Sequence, residues 1–479
     1  MATCSRAAIM SSLRGVVALQ PKDLWSLVFS VMPKLLSLRT SFLNKFQEDD
    51  VHPLLPELPQ DMLMTIFAKL SISDLVRAGS VCSSWRSAYS RLRNLGKYKQ
   101  SQTPCLLYTS ETSSDNVACL YSLVENRTYK LTLPDPPIRS RFVIGSSNGW
   151  MITADERSEL HLVNPITGEQ IALPSVITIE HVKPIADGSG IIHRYELSYH
   201  TGDNKVHEEP TLHTLGDLRE HLYFKAFVFP DTSNGSYIVV VIHNPYHQLS
   251  FARATDDKWT WLPPNFRYRD CLYMDGLLYA LTSHGEIDAF DLTASTVTMK
   301  VILEEVKEYT YQSMYIMQAP WGDLLQVWRT VNVPEPEDDE VDGPEHEVLL
   351  CTLDIAVYKV DMEAKKLVEI NSLPYHVLFL GYNNSICLNV EEHPELKANH
   401  AYFTDDHAEV IMVLKNKTRD IGVMDLENCT RKEIASQIWS NWPCPTWIIP
   451  NLTELNLRSA NRPVLMSEAV ACRMSCNKQ

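Results

Sequence analysis

The chain has 479 residues, of which 45% are hydrophobic, 9% aromatic and 21% charged. This composition suits two or three folded domains and excludes both a single small module and a wholly disordered chain. The 43 Lys and Arg residues against 59 Asp and Glu residues give a formal net charge of −16. Binding to a nucleic-acid backbone requires an excess of positive charge, so no nucleic-acid partner is expected.

The charge is unevenly distributed. Residues 58–99 carry 7 basic and 2 acidic side chains, whereas residues 100–479 carry 30 basic and 52 acidic ones. Such asymmetry marks a boundary between modules. We therefore expect a small basic module followed, from about residue 100, by a long acidic one.

Residues 1–50 form a basic, amphipathic extension. Six basic residues and one acid, Asp23, fall within residues 1–47, which is typical of an organellar transit peptide but also of a pair of surface helices. The longest uncharged run, Leu24–Pro33, is about half of the roughly 20 residues that cross a bilayer. We expect packing helices, a cytoplasmic or nuclear location and no membrane span, with organelle targeting as the alternative.

The next segment has the pattern of three short helices. Leu63, Ile66, Phe67 and Leu70 follow the i, i+3, i+4, i+7 spacing of one helical face. Pro59 suits the first helical position. A second helix is predicted to start at a capping box formed by Ser71 and Asp74 and to end at Gly79. A third helix is predicted from the apolar stripe that runs from Val81 to Leu92.

A module of about forty residues buries too little surface to be stable alone. Its apolar faces must therefore be covered, either by the downstream domain of the same chain or by a partner protein. The spacing of the residues leaves both alternatives open.

Residues 55–99 resemble an F-box. The string LPELPQDMLMTIFAKLSISDLVRAGSVCSSWRSAYSRL is similar to the motif that docks on the Skp-type adaptor of cullin–RING ubiquitin ligases, with Gly79-Ser80 as a departure that is expected to loosen the second helix. The resemblance implies helix-in-groove docking by residues that face the adaptor or order the helices that do. These residues are Leu58, Pro59, Leu63, Ile66, Phe67, Leu70, Leu75, Val81, Cys82 and Trp85.

The acidic module reads as many short strands with turns between them. Residues 150–174, 271–302, 323–370 and 401–434 each contain runs that alternate with a period of two. Leu-Pro pairs end at Pro134, Pro174, Pro263 and Pro374, at spacings of 40, 89 and 111 residues. A period of about 40 to 50 residues predicts a β-propeller of six or seven blades over residues 103–450, in preference to a large β-sandwich.

This half also resembles plant F-box proteins that carry the kelch-related domain of unknown function 295. The segments that carry the resemblance are Gly145–Trp150, Leu162–Pro165, Asn399–Asp406, Met424–Glu427 and the closing Trp442–Trp447. The resemblance covers residues 58–450 and implies a kelch-like propeller. The resemblance indicates a fold but no particular activity.

Two further segments lack this pattern. Residues 334–347 contain eight acids, three prolines and no Lys or Arg, so we expect a solvated acidic insertion. Residues 451–479 are expected to form a flexible tail.

Several apparent catalytic motifs have simpler interpretations. Gly145–Gly149 fits G-x-S-x-G around Ser147, but a strand-like run follows where the nucleophile elbow needs a helix. His243 and His247 flank Pro245, which disfavours a shared helical face, so they are expected to be loop histidines.

The Asp405-Asp406-His407 string should point to alternate faces, and a turn function is expected for it. The C-x3-C pair at Cys472 and Cys476 has no second pair to complete a zinc site. No catalytic residue, cofactor or metal ligand is predicted.

These observations favour a non-catalytic, substrate-recognition subunit of a ubiquitin ligase. The F-box would dock on the Skp-type adaptor, and through it on cullin and RING subunits, while the propeller would bind an unidentified protein substrate. The alternative is an organelle-targeted or ligand-sensing propeller protein without a ligase role.

Overall fold

The computed structural model describes residues 58–95, 98, 102–202, 206–231, 236–262, 267–293, 296–306, 313–332, 351–406, 419–434, 440, 442–452 and 475–476. The chain divides into one unit of residues 1–100 with 452–454 and a second of residues 101–451 with 455–479. The extension at residues 1–50, the insertion at 334–347 and residues 453–474 of the tail lie outside the described residues.

The first unit contains the three predicted helices: α1 (Gln60–Phe67), α2 (Ile72–Gly79) and α3 (Ser83–Asn94). Ser71 caps α2 as predicted, because its Oγ accepts a hydrogen bond of 3.2 Å from the backbone N–H of Asp74. Pro59 is the N-cap of α1 and not its first helical residue. The pattern thus placed the helices correctly and missed one boundary by a residue.

Gly79 has a packing reason to be glycine. A Cβ at this position would lie 2.9 Å from Cγ of Tyr89, and both residues are buried. The departure from the F-box pattern therefore lets the ring of Tyr89, on α3, pack directly against the end of α2.

The described residues of the second unit consist mainly of strands, with two 3-10 helices (Ile138–Ser140 and Val176–Thr178) and one short α-helix, α4 (Leu218–Leu222). The strands that precede this helix are β1 (Cys105–Tyr108), β2 (Val117–Ser122), β3 (Arg127–Thr132), β4 (Phe142–Ser147), β5 (Trp150–Ala154), β6 (Leu160–Val163), β7 (Gln170–Ala172), β8 (Val182–Ala186), β9 (Ile192–His200) and β10 (Val206–Thr214). Those that follow it up to the acidic insertion are β11 (Tyr223–Asp231), β12 (Ser236–His243), β13 (Gln248–Arg253), β14 (Thr260–Leu262), β15 (Tyr268–Met274), β16 (Leu277–Thr282), β17 (Ile287–Asp291), β18 (Thr298–Leu303), β19 (Ser313–Gln318) and β20 (Leu324–Asn332). The remaining strands are β21 (Cys351–Asp361), β22 (Lys366–Glu369), β23 (His376–Leu380), β24 (Ile386–Asn389), β25 (His400–Phe403), β26 (Gly422–Asp425), β27 (Arg431–Lys432), β28 (Thr446–Ile448) and β29 (Ser475–Cys476).

Within the described residues these strands form seven sheets. In chain order they are β28-β1-β2-β3-β29, β4-β5-β6-β7, β10-β9-β8, β11-β12-β13-β14, β15-β16-β17-β18, β19-β20-β21-β22 and β24-β23-β25-β26-β27. Neighbouring strands are antiparallel except for β23 and β25, which are parallel. The first sheet contains the last strands of the chain, so the C-terminal segment closes the ring by pairing β28 with β1.

Six of these sheets meet at their innermost strands. Ser147 on β4 donates a hydrogen bond of 2.6 Å to the carbonyl of Val228 on β11. Lys225 on β11 pairs with Asp270 on β15 at 2.9 Å, and Asp270 in turn accepts from the N–H of Ile316 on β19. These contacts run from blade to blade, as in a β-propeller.

The ring closes through the seventh and first sheets. Ser385, next to β24, donates to the carboxylate of Asp270 at 2.9 Å. The N–H of Asn384 donates to the carbonyl of Ser146 at 2.7 Å, and the Ser146 hydroxyl donates to the carbonyl of Trp447 on β28. The innermost strands thus form a continuous six-membered ring.

The sheet β8–β10 lies outside this ring. Its Val182, Tyr195 and Leu197 share a core cluster with Leu160 of β6 and Leu218 of α4, so the sheet packs on the blades formed by β4–β7 and β11–β14. The 89-residue spacing, which predicts two repeat units, therefore contains one blade and this additional sheet.

The sequence places an Asn or Asp near the end of four alternating strands, at Asn164, Asp291, Asp361 and Asp425. Each ends or follows the next-to-last strand of its sheet, and each side-chain oxygen accepts from a backbone N–H two residues ahead. These Asx turns connect that strand to the last strand of the sheet. The repeat of strands and turns predicted from the sequence is confirmed as the repeat of the propeller blades.

Candidate functional site

Four of the ten predicted docking residues form the interior of the three-helix unit. Leu63, Ile66, Phe67 and Leu75 are all at most 6% exposed. Phe67 packs edge-on against the ring of Trp85, with centroids 5.5 Å apart. These four side chains are therefore placed to order the helices and not to meet a partner directly.

Five others lie where α1 and α3 begin, and we call them the docking surface. They are Leu58, Pro59, Val81, Cys82 and Trp85. Pro59 and Cys82 are exposed, and the other three are half-buried.

The two helix starts are joined by Gln60. Its Nε2 donates to the carbonyl of Ser84 at 3.0 Å and contacts the Ser84 hydroxyl at 3.1 Å. Because Gln60 follows Pro59 and Ser84 precedes Trp85, this bond brings both ends of the docking surface together. Sequence reasoning named the apolar residues but missed Gln60, for which the only signal was its position beside the Leu-Pro start.

Leu70, the tenth residue, is half-buried at the end of the first helical segment. Its carbonyl accepts a hydrogen bond of 2.8 Å from the hydroxyl of Tyr98. Leu70 lies between α1 and α2, so the Tyr98 hydroxyl ties the segment that follows α3 to the connection between the first two helices.

The centre of the propeller holds a buried ion pair. The side chains of Lys225 and Asp270 are 4% and 0% exposed, and their charged atoms lie 2.9 Å apart. Lys225 also lies over the rings of Phe227 and Tyr315, at 5.3 and 5.5 Å from their centroids. Burial raises the pKa of Asp270, while Lys225 and the hydrogen bonds to Asp270 oppose that rise.

This pair joins residues on or next to four innermost strands, β11, β15, β19 and β24. Sequence reasoning missed it because 45 residues separate the partners. A signal was present: Lys225 interrupts an otherwise uncharged, apolar run from Tyr223 to Phe229, and a charge in such a run needs a buried partner.

A second buried network involves the Asp405-Asp406 pair. Asp405 lies 3.6 Å from Arg419, whereas Asp406 lies 3.4 Å from Arg329. Arg329 also pairs with Asp420 at 3.0 Å. The neighbouring carboxylates thus have different partners. Both residues follow the end of β25 and form ion pairs with arginines distant in the chain, which differs from the turn function expected for this string. His407 lies outside the described residues.

The G-x-S-x-G serine has no catalytic setting. Ser147 is the last residue of β4 and is followed by a turn and another strand, and its hydroxyl donates to the carbonyl of Val228. Gly145 allows a close approach between blades, because a Cβ there would lie 2.0 Å from the carbonyl oxygen of Ala226. The motif is confirmed as part of a blade turn.

Of the two histidines flanking Pro245, His243 differs from the expectation of a loop residue, whereas His247 agrees with it. His243 ends β12 and is fully buried; one ring nitrogen lies 2.9 Å from the carbonyl of Asn244 and the other 2.8 Å from the hydroxyl of Ser250. Burial lowers its pKa to about 4. His247 lies in the following turn.

In the part of the chain that the structure describes, no group of three or more His, Cys, Asp and Glu side chains is arranged to hold a metal ion. Of the candidate pair in the tail, Cys476 lies on β29, and Cys472 lies outside the described residues. Among the helices described, none has the length and apolar character needed to cross a bilayer.

Comparison with known proteins agrees with both units. An F-box-like family model matches residues 55–93, and a KIB1-4 β-propeller model matches residues 120–425. The chain is 23% identical to the F-box protein SKIP23 of Arabidopsis thaliana over 82% of this chain and 94% of that protein. It is 26% identical to the F-box protein KIB4 of the same plant, over 50% of this chain and 59% of that protein.

Among solved structures, the β-propeller domain of Cps50 (Swd1) from Myceliophteria thermophila aligns with 56% of this chain and 85% of its own, at 10% identity and a TM-score of 0.25. A score of this size supports no argument about this chain.

Three F-box helices followed by a ring of β-sheets define the chain as a plant F-box protein with a β-propeller. Because the propeller model matches more than half of its residues, the chain belongs to the KIB1-4 β-propeller family. The kelch-related description of the propeller stays a prediction.

Proposed function

We propose that this protein is the substrate-recognition subunit of a cullin–RING ubiquitin ligase that uses a Skp-type adaptor. The docking surface of the F-box binds the adaptor, and the propeller binds the protein to be ubiquitinated. The observation that carries the proposal is the division of the F-box residues into a buried set that orders the helices and a partly exposed set at one end of two helices.

The chain itself performs no bond-making step in this proposal. It raises the effective concentration of a substrate lysine near the conjugating enzyme, which is a contribution of proximity. The buried charges at the centre of the propeller support this assignment, because Lys225 and Asp270 pair with each other across two blades and Asp270 also accepts from Ser385 and from the N–H of Ile316. These contacts use both charged groups to join the blades.

Two substitutions test the docking surface without weakening the helices. Pro59 and Cys82 are the N-caps of α1 and α3, and Asp is among the preferred residues at this position. Pro59→Asp and Cys82→Asp should therefore keep the helices folded while placing a charge on an apolar docking surface.

The measurement is co-purification of a Skp-type adaptor and cullin with the full chain. We expect the double variant to lose both partners. Leu95→Asp is the matched control, because Leu95 is 55% exposed at the other end of α3, and it should retain them. Retention of the adaptor by the double variant, with unchanged helical circular dichroism, would refute the proposal.

A subunit of this kind acts where its adaptor and cullin are, so the proposal includes a cytoplasmic or nuclear location. A fluorescent fusion to residues 1–50 tests this part separately. Import into an organelle with cleavage of the extension would contradict it.

A further inference from the structure

Two aromatic side chains of the propeller are exposed to solvent. Trp321 is 43% exposed and Tyr375 is 61% exposed, whereas the other Phe, Tyr and Trp side chains that the structure describes are buried or half-buried. Trp and Tyr are enriched among the few residues that carry most of the binding energy of a protein interface. A pair of them left in solvent therefore marks a candidate contact site for a partner.

The two side chains lie at one edge of neighbouring blades. Trp321 is in the turn that joins β19 to β20, and Tyr375 directly precedes β23 of the next sheet. His376, the first residue of β23, meets the indole of Trp321 edge-on, with ring centroids 4.5 Å apart. We call Trp321, Tyr375 and His376 the aromatic surface, and all three belong to the second unit.

The aromatic surface is held in place before anything binds. The Nε1–H of Trp321 donates a hydrogen bond of 2.7 Å to Asp323, whose other carboxylate oxygen pairs with Lys359 at 2.9 Å. The carbonyl of Tyr375 accepts a hydrogen bond of 2.9 Å from the N–H of Val390. Because these bonds fix the indole and the backbone of Tyr375, less freedom is lost when a partner binds.

Two carboxylates lie at the rim of this surface. Glu391 and Glu392 directly follow Val390, and both are exposed. Asn389 holds them in a turn, because its side chain accepts from the N–H of Glu391 at 2.9 Å and its carbonyl from the N–H of Glu392 at 3.2 Å. Burial lowers the pKa of His376, and the charge of Glu391 opposes that fall. The imidazole is therefore uncharged at neutral pH, which leaves the rim negative.

Aromatic faces beside carboxylates select a cation. A guanidinium stacks on the face of a Trp or Tyr ring and also forms two parallel hydrogen bonds to a carboxylate. The wider field has the same sign, since residues 100–479 carry 52 acidic side chains against 30 basic ones. Such a field attracts a basic partner and repels an acidic one. The rings and the charge of this surface therefore complement an arginine side chain.

We propose that the aromatic surface, with Glu391 and Glu392 at its rim, binds an arginine within a basic segment of the protein that the propeller recruits. This inference rests on the proposed function and names the chemistry by which the propeller recognises its substrate.

The test uses the full chain purified with its adaptor. Binding is measured to an array of basic peptides, each with arginine at its centre and varied neighbours, and to twins in which citrulline replaces that arginine. Citrulline keeps the shape of the side chain and removes its charge. We expect a subset of the arginine peptides to bind and their citrulline twins to fail.

Trp321→Ala should weaken that binding about 10-fold or more, as truncation of a central aromatic residue of an interface typically does. Trp321 lies in an exposed turn, so the change should leave the midpoint of urea unfolding unaltered. Glu391→Gln combined with Glu392→Gln should weaken binding a few-fold and make it less sensitive to salt, because the pair supplies the negative rim.

Two matched controls lie on β10, in the additional sheet. Leu212→Ala truncates an apolar side chain that is 57% exposed. Glu209→Gln neutralises an exposed glutamate. Both changes should leave peptide binding unchanged.

Equal binding of the arginine and citrulline peptides would overturn the inference, as would binding that survives Trp321→Ala and Tyr375→Ala in one chain. A dimer of the complex that Trp321→Ala dissociates, measured by sedimentation, would also overturn it, because a second copy of this chain would then cover the surface. Adaptor retention is scored in the same preparations, so a failure of this surface is separable from a failure of the ligase proposal.

Discussion

Removing Lys225 should destabilise the propeller strongly, because it leaves the carboxylate of Asp270 buried without its counter-charge. At the observed separation of 2.9 Å, Coulomb's law with an effective dielectric constant of about 20 gives roughly 6 kcal/mol of attraction. Part of this attraction offsets the cost of removing both charges from water. Breaking one side of a buried pair therefore costs about 3–5 kcal/mol, which is a large fraction of the 5–15 kcal/mol by which folded proteins are typically stable.

The assay is urea unfolding of Lys225→Met, followed by tryptophan fluorescence. The midpoint should fall without a change in the m-value. Lys359→Met is the matched control, because Lys359 makes an ion pair of the same 2.9 Å length with Asp323 but is 44% exposed. An exposed pair of this kind is worth at most about 1 kcal/mol.

The pH dependence identifies the cause. Burial already raises the pKa of Asp270 in the folded state, and loss of Lys225 should raise that pKa further. A carboxyl group with a raised folded pKa is favoured in its protonated form, so stability returns as the pH falls. The cost of Lys225→Met should therefore be largest near pH 8 and smaller near pH 5.

A double variant completes the test. Lys225→Met with Asp270→Asn removes both charges and keeps an oxygen for the N–H of Ile316, so it should recover much of the loss. A cost below about 1 kcal/mol for Lys225→Met, or an equal cost at pH 5 and pH 8, would refute the stabilising role assigned to the buried ion pair.

Three further outcomes test other parts of the propeller. Trp447→Ala should lower stability by about 3–5 kcal/mol, measured by urea unfolding, because this fully buried ring belongs to the strand that closes the propeller. Gly145→Ala should lower the thermal midpoint and reduce the free energy of unfolding by about 3 kcal/mol, because the new Cβ would lie 2.0 Å from the carbonyl oxygen of Ala226. Gly188→Ala is the control: a Cβ there has no atom within 4 Å, so the free energy of unfolding should change by less than about 0.5 kcal/mol. His243 should make stability fall as the pH drops from about 6.5 towards 4, since burial lowers its folded pKa to about 4 and the unfolded chain binds the proton first. His243→Gln should flatten that slope in unfolding measured at several pH values, and an unchanged slope would count against the assignment.

Local interactions in this protein were predictable from its sequence, whereas non-local ones were not. The capping box at Ser71 and Asp74 was readable because the partners are three residues apart and one hydrogen bond joins them. The turn residues such as Asp291 and Asp425 were readable for the same reason, since each bonds to N–H groups just ahead in the chain. Periods of 3.6 and 2 then gave the helices and most strands.

The exact blade number was not readable in this way, since six and seven blades were both predicted and the ring has six. The sheet β8–β10 falls within the 89-residue spacing that predicts two repeat units, yet β4 contacts β11 directly and excludes that sheet from the ring. Strand pattern reports which residues face an apolar surface, but it does not report which surface that is.

The sequence by itself determined that three short helices precede a long domain of repeated strands, because short-range hydrogen bonds and apolar periodicity dictate those elements. The resemblance to known families added that the helices are an F-box. Only the tertiary structure decided which F-box residues are buried and which stay partly exposed, and that Lys225 meets Asp270. The physical reason is distance along the chain. Two residues that lie far apart in the sequence produce no repeating sequence pattern when they interact, and their interaction forms only once the blades have closed into a ring.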